Sequence, residues 1–254
     1  MILTIDIGNS NIVFGVYGED RLLFSSRVKT DPLRTETEYA VLLSSLLAFH
    51  DCPAKSLEGA ALSSVVPGLT PVLRAAVGLL ADLPVLVVGP GVKTGLDIRI
   101  DNPGELAGDL VCTAVGAMEH YPLPAIIIDL GTATKITVVD ERRRYIGGAI
   151  APGVAVSLGA LTKSASLLPA VSLDSKIKPI CGDTTGAMLS GSILGAASML
   201  DGMIDRFCEV IGEAKTVVAC GGLAPMVIPH CRRRIILDEG LLLSGLLAVY
   251  RKNR

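Results

Sequence analysis

MILTIDIGNSNIVFGVY at positions 1–17 and AIIIDLGTATKITVVD at positions 125–140 are two versions of one pattern. Each runs through β-branched residues to an aspartate, crosses Asp-x-Gly and a short polar turn, and continues into a second β-rich run. A hairpin turn with an Asx cap accounts for either copy alone. It does not account for the same aspartate and glycine recurring at the same place in each half. Turns rich in Gly, Asn, Ser and Thr let backbone N–H groups and hydroxyls approach a phosphate, because glycine has no Cβ to hold the ligand away. A carboxylate beside them repels phosphate but can hold a cation that binds it. The pair reads as two halves of a clamp for the polyphosphate chain of ATP.

The patterns around the two copies agree with a duplication. After Ile2–Ile7 and Ile12–Tyr17, Leu22–Val28 completes a meander, followed by a helix over 35–49, a strand over 60–66, a helix in PGLTPVLRAAVGLLA and a strand over 84–88. A loop around KTGLDIRIDNP leads to a helix over 103–120. The second half repeats the meander at 125–129, 135–140 and 144–150, then places helices at 154–166 and 185–211, a strand at 216–219 and a last helix at 240–251. This predicts an α/β protein of two ribonuclease-H-like domains of the actin, hexokinase and Hsp70 type, each a mixed sheet flanked by helices. The expected domains are 1–121 and 122–254, sizes ordinary for domains.

Composition narrows the function. With 50% hydrophobic residues the chain can bury a sizeable core, and a formal charge of -2 argues against a general nucleic-acid surface. The only basic runs, Arg142–Arg144 and Arg232–Arg234, read as solvated turns. No basic n-region precedes the first strand, and no uninterrupted apolar stretch of about 18–20 residues is apparent, so a cytoplasmic protein is expected. Cys52, Cys112, Cys181, Cys208, Cys220 and Cys231 are scattered without a C-x-x-C pair, which implies neither zinc nor a disulfide framework. CGGLAP at 220–225 follows an apolar strand, and its Gly221-Gly222 turn would allow close approach of an adenine ring or its ribose.

Eight motifs then stand in order: DIGNSNI (6–12), RTETEY (34–39), KTGLDIRIDNP (93–103), AGD (107–109), DLGTAT (129–134), GGAIAPG (147–153), TTGAMLSG (184–191) and GGLAP (221–225). Together they resemble the type III pantothenate kinases, which phosphorylate pantothenate in the first step of coenzyme A synthesis. The resemblance implies ATP as phosphoryl donor, Mg²⁺, a monovalent cation such as K⁺ or NH₄⁺, and a homodimer whose interface helps to build the pantothenate pocket. It places the triphosphate along Asp6, Ile7, Gly8, Asn9, Ser10, Asn11, Ile12 and Val13, with Asp6 near Mg²⁺ through the phosphates. It places further ATP contacts at Gly131, Thr132, Gly221 and Gly222, the monovalent cation at Asp129, the general base at Asp109, and pantothenate against Ile100, Ala107, Gly108, Asp109, Leu110 and Thr184.

Three departures cluster near the acceptor and the second turn. Where the family commonly has Gly-Ala-Asp-Arg, this chain has Ala107-Gly108-Asp109-Leu110, and leucine cannot replace an arginine fork on a carboxylate. Ile100 stands where a tyrosine is common. The second turn commonly continues Thr-Thr-Phe-Asp but here reads Thr134-Lys135-Ile136-Thr137, and Lys135 either adds a phosphate contact or points to solvent. Three readings stay open at this point: a pantothenate kinase, a nucleotide-binding paralogue with a regulatory role, and a kinase for another small hydroxylated acceptor.

Overall fold

The computed structural model describes residues 1–173 and 177–254. In chain order its elements are β1 (Ile2–Ile7), β2 (Asn11–Gly18), β3 (Arg21–Lys29), α1 (Glu36–Phe49), β4 (Gly59–Ser64), α2 (Leu69–Leu80), β5 (Val85–Val87), β6 (Asp97–Ile98), α3 (Gly108–His120), β7 (Ala125–Leu130), β8 (Ala133–Val139), β9 (Arg144–Pro152), α4 (Val154–Ser164), α5 (Thr184–Ile211), β10 (Thr216–Cys220), α6 (Ala224–Val227), β11 (Ile236–Leu237) and α7 (Leu241–Lys252). They form two compact units. The first holds residues 1–96, 101–119 and 241–254, and the second holds 97–100 and 120–240.

The first sheet has the order β3-β2-β1-β4-β5, antiparallel from β3 to β1 and parallel from β1 to β5. The second has the order β11-β10-β7-β8-β9-β6, antiparallel from β7 to β9 and parallel from β7 to β11. With β6 set aside, the orders and senses coincide. Both units are therefore ribonuclease-H-like mixed sheets, and the duplication seen in two turns extends through whole sheets.

Central position explains the character of the repeated strands. Leu3, Ile5 and Ile7 of β1 and Ile126 and Ile128 of β7 are fully buried, in two separate cores. Such strands, covered on both faces, read as near-continuous apolar runs. In the first unit α1 supplies Tyr39, Leu43 and Leu47 to the core and is started by a capping box, Thr35 with Glu38. In the second, α5 supplies Ile193, Ala197, Leu200 and Ile204. That helix is long and apolar enough to cross a membrane by length and composition, although Ser and Asp residues interrupt its apolar run. Its buried face, and Asp201 accepting the Arg232 and Arg233 backbone N–H groups, mark it as the core helix of this unit.

The units differ from a single cut after residue 121 in two places. The last helix, α7, returns to the first unit, where it packs on β1, β4 and α3. Glycines allow it: a Cβ on Gly245 would lie 1.9 Å from the Cys112 carbonyl oxygen, and one on Gly116 would lie 2.3 Å from that of Leu241. In the other place, the expected loop around KTGLDIRIDNP contains β6, which pairs with β9 and so joins the second sheet. The helix expected over 103–120 is also broken. Pro103–Glu105 forms one 3-10 turn, Leu106 is extended, and α3 starts at Gly108. Glu105 and Asp109 therefore do not share a helix surface, and Asp109 is only 8% exposed.

The basic runs are turns, but they are not simply solvated. Asp140 accepts the backbone N–H groups of Arg142 and Arg144 at 2.9 Å each, and the Arg144 Nε donates to it at 2.6 Å. Arg233 pairs with Asp205. Burial opposes the charge on Asp140, but the Arg144 guanidinium and the two N–H groups outweigh it and hold the carboxyl below the usual carboxylate range. A lowered folded-state value gives stability that is present above the unfolded pKa of about 3.9 and is lost as pH falls through the folded value. Asp140→Ala is expected to cost about 1–3 kcal/mol at neutral pH. Urea unfolding of both proteins along a descending pH series should show that gap closing in acid, and a constant gap would refute the linkage.

Candidate functional site

In the first unit the turn Gly8–Ser10 joins β1 to β2. The Gly8 N–H donates to the Asn11 carbonyl at 3.0 Å, and Thr30 fastens the turn from β3, its Oγ1 donating to the Gly8 carbonyl at 2.6 Å and its N–H to the Ser10 carbonyl at 3.0 Å. A Cβ on Gly8 would stand 2.9 Å from the Asn11 carbonyl oxygen, so the tight turn requires glycine. Asn9, Ser10 and Asn11 are exposed, whereas Ile7 and Ile12 are fully buried. Any contact of Ile7 and Ile12 with a phosphate is therefore through backbone, their side chains being core. Val13 is half-buried opposite Asp6 in the hairpin.

Asp6 and Asp109 both lie near Cys112 in this unit. Asp6 is paired in register with Ser63 of β4, and a Cβ on Gly108 would lie 3.3 Å from the Ser63 Oγ, so the start of α3 abuts the end of β1 and β4. Below them is the Cys112 thiol. Burial pushes it far above its ordinary value, and the nearby Asp6 and Asp109 carboxylates add to that rise. The sulfur is thus an inert apolar floor rather than a nucleophile. Asp109 lies in the first turn of α3, where the helix dipole favours a carboxylate, and its Oδ1 accepts the Leu110 N–H at 2.8 Å. Ala107 and Gly108 are half-buried beside it and Leu110 is buried.

No cluster of three or more His, Cys, Asp or Glu side chains that could cage a metal occurs among the described residues. Mg²⁺ is usually held by one or two carboxylates together with substrate phosphates rather than by an all-protein cage. Asp6 is half-buried at the end of β1, next to the Gly8 turn.

In the second unit the equivalent turn is Gly131-Thr132, with the Gly131 N–H donating to the Ala133 carbonyl at 3.1 Å. Thr132 is exposed at its tip. Two glycines from other elements press against this turn. A Cβ on Gly153 would be 2.4 Å from the Thr132 carbonyl oxygen, and one on Gly221, whose φ is +94°, would be 2.6 Å from the Asp129 Oδ1. Gly221 thus packs β10 against the turn, and the exposed Gly222 follows it. Ile100 lies in this unit too, its side chain 3.7 Å from where a Cβ on Gly147 would be. Thr184, exposed at the start of α5, lines a cavity of about 590 Å³ between α4 and α5.

Lys135 neither points to solvent nor stands apart from the turn. Asp129 and Lys135 face each other across the hairpin, and the Lys135 Nζ lies 2.6 Å from the Asp129 Oδ2, with the side chains 16% and 13% exposed. The first hairpin has Val13 at the corresponding position, opposite Asp6. The residue types read from the sequence therefore hide a difference between the turns. One aspartate faces an aliphatic residue and the other a lysine. Counting across the tight hairpin from Asp129 would have revealed the pair, since opposed residues of opposite charge interact.

Comparison with known proteins now meets this geometry. The family model for type III pantothenate kinase matches residues 2–206. The chain belongs to the type III pantothenate kinase family. It is 41% identical over 254 residues to the type III pantothenate kinase of an Exiguobacterium strain and 39% identical over 254 residues to that of Brevibacillus brevis, with all of each chain covered. Among solved structures it resembles component A of (R)-2-hydroxyglutaryl-CoA dehydratase from Acidaminococcus fermentans, at 16% identity, TM-score 0.58 and coverage of 99% and 98% of the two chains. A ROK family protein from Streptococcus pneumoniae, 14% identical with TM-score 0.55, covers the same shares. These low-identity likenesses show the fold, which is actin-like, and the family likeness brings kinase chemistry with ATP and a divalent metal.

Proposed function

We propose that this member of the pantothenate kinase family transfers the γ-phosphoryl group of ATP to the primary hydroxyl of pantothenate, giving ADP and 4′-phosphopantothenate. The observation that carries the mechanism is the placement of Asp109, mostly buried in the first turn of α3 and, like Asp6, near Cys112. As the hydroxyl oxygen attacks the γ-phosphorus, the bond from that phosphorus to the bridging oxygen of ADP breaks, and an Asp109 carboxylate oxygen accepts the hydroxyl proton. In the first unit Asn9, Ser10 and Asn11 are assigned to phosphate, and in the second unit Gly131 and Thr132 are assigned to phosphate and Gly221-Gly222 to adenosine. Mg²⁺, which Asp6 would hold together with the phosphates, would supply neutralisation of their negative charge.

The acceptor reading is supported by the cavity at Thr184. Ser157 and Ser192 supply hydroxyls beside Leu161 and Met188, and the buried Thr134 Oγ1 in the same lining has no hydrogen-bond partner. Polar groups set in an apolar lining suit a small, branched, amide-containing acid. By likeness to the family, the enzyme is a cytoplasmic homodimer whose interface contributes to that pocket. ADP release by the purified protein with Mg-ATP should depend on millimolar pantothenate, with a product heavier by one phosphate in mass spectrometry. ADP release indifferent to pantothenate would overturn the assignment.

A further inference from the structure

The carboxylate to which the family likeness assigns a monovalent cation already holds a cation of the chain's own. Asp129 is mostly buried, and so is the ammonium that meets it at 2.6 Å. Its surroundings leave little latitude, for the Asp129 Oδ1 is backed by Gly221 at a distance that no Cβ could share. A separate K⁺ on Asp129 would have to displace the ammonium or stand beside it, two positive charges on one carboxylate. The residues present therefore do not fit a separate ion at Asp129.

We propose that the Lys135 ammonium is the built-in monovalent cation of the second phosphate turn, so that this enzyme works without K⁺ or NH₄⁺. A lysine ammonium carries the charge of either ion, is close to both in size, and presents three N–H donors on a compact head. Tethering by the hairpin makes it permanent, since the backbone register alone places Lys135 opposite Asp129. In its place at the turn, the ammonium balances the Asp129 charge and offers the anionic ligand the positive field that a bound ion would give. The position is specific to the second turn, because Val13 occupies the matching place in the first.

This inference rests on the kinase reading for its substrate, but it is tested separately. The rate and the ATP affinity of the wild-type enzyme are measured with K⁺ and again with tetramethylammonium as the only monovalent cation. Both are expected to agree within about twofold, whereas disturbing even the outer partners of a needed metal site typically costs about 10–100-fold. Lys135→Thr, which leaves Asp129 buried without its cation, is expected to lose about tenfold or more in tetramethylammonium and to regain it with K⁺ or NH₄⁺. Thallium(I) NMR gives a readout without turnover: line broadening by Lys135→Thr and none by wild type. A wild-type enzyme that needs K⁺ or binds thallium(I), or a Lys135→Thr protein as active in tetramethylammonium as wild type, would overturn the proposal. Absence of phosphopantothenate in every salt would instead sink the kinase reading, with the ATP-affinity and thallium arms still deciding the cation.

Discussion

Asp109→Asn is expected to lower kcat by about 10²–10⁴-fold while leaving ATP affinity nearly unchanged, the loss characteristic of a missing general base. Asparagine keeps the shape of the side chain and an oxygen that can accept the Leu110 N–H, so the first turn of α3 should persist. What it lacks is the capacity to take the hydroxyl proton. The first phosphate turn is held by Thr30 and by its own backbone, independently of α3, which is why nucleotide binding should survive. Asp6→Asn should behave differently, weakening the dependence on Mg-ATP before it slows the chemistry, because the proposed mechanism assigns Asp6 to the metal-bearing phosphates. Steady-state kinetics with ATP and pantothenate varied in turn, alongside calorimetric ATP binding, separates the two. An Asp109→Asn rate within a few fold of wild type would remove Asp109 from the mechanism.

The sequence made the repeated turns legible because their signal is local: a β-branched run, an aspartate, a glycine and a second β-run within a few residues. The ribonuclease-H-like class followed from that, since each meander supplies three strands and later apolar runs supply further ones. Membership of α7 was not legible. It depends on Gly116 and Gly245, which are far apart in sequence and whose role appears only when two helix backbones come within reach. β6 and β11, each two residues long, carry too little pattern to stand out from loops. At the site, Asp6, Asp109 and Asp129 were visible through their motifs, but the nearness of both Asp6 and Asp109 to Cys112 depends on the packing of α3 against Ser63. Lys135 was visible but left between a phosphate contact and a solvent-facing residue, and the solvent alternative falls once the residue across the hairpin, Asp129, is counted.

Gly245→Ala should be the most damaging of the small substitutions, although it adds one methyl group to a helix and gains intrinsic helix propensity. The added Cβ would stand 1.9 Å from the Cys112 carbonyl oxygen and 2.7 Å from the Gly116 nitrogen. Both neighbours are helical backbone and cannot rotate away as a side chain could, so α7 must move off α3. Overpacking of this kind costs about 1–3 kcal/mol, and more where backbone is the obstacle. For a protein of this size that is about 2–4 °C in Tm per kcal/mol. Gly78→Ala, in α2, makes the matched comparison: nothing beyond its own helix backbone and chain neighbours lies within 4 Å of its Cβ, and the change should stabilise by about 0.5–1 kcal/mol. The displacement at Gly245 has a second consequence, because Cys112 lies on α3 one turn after Asp109. Moving that helix shifts Asp109, the proposed general base, relative to the turn carrying Asp6, so kcat should fall with Tm in Gly245→Ala, while Gly78→Ala raises Tm and leaves kcat alone. A Gly245→Ala protein that melts earlier but turns over normally would mean that the α3–α7 contact serves the fold and has no part in holding Asp109.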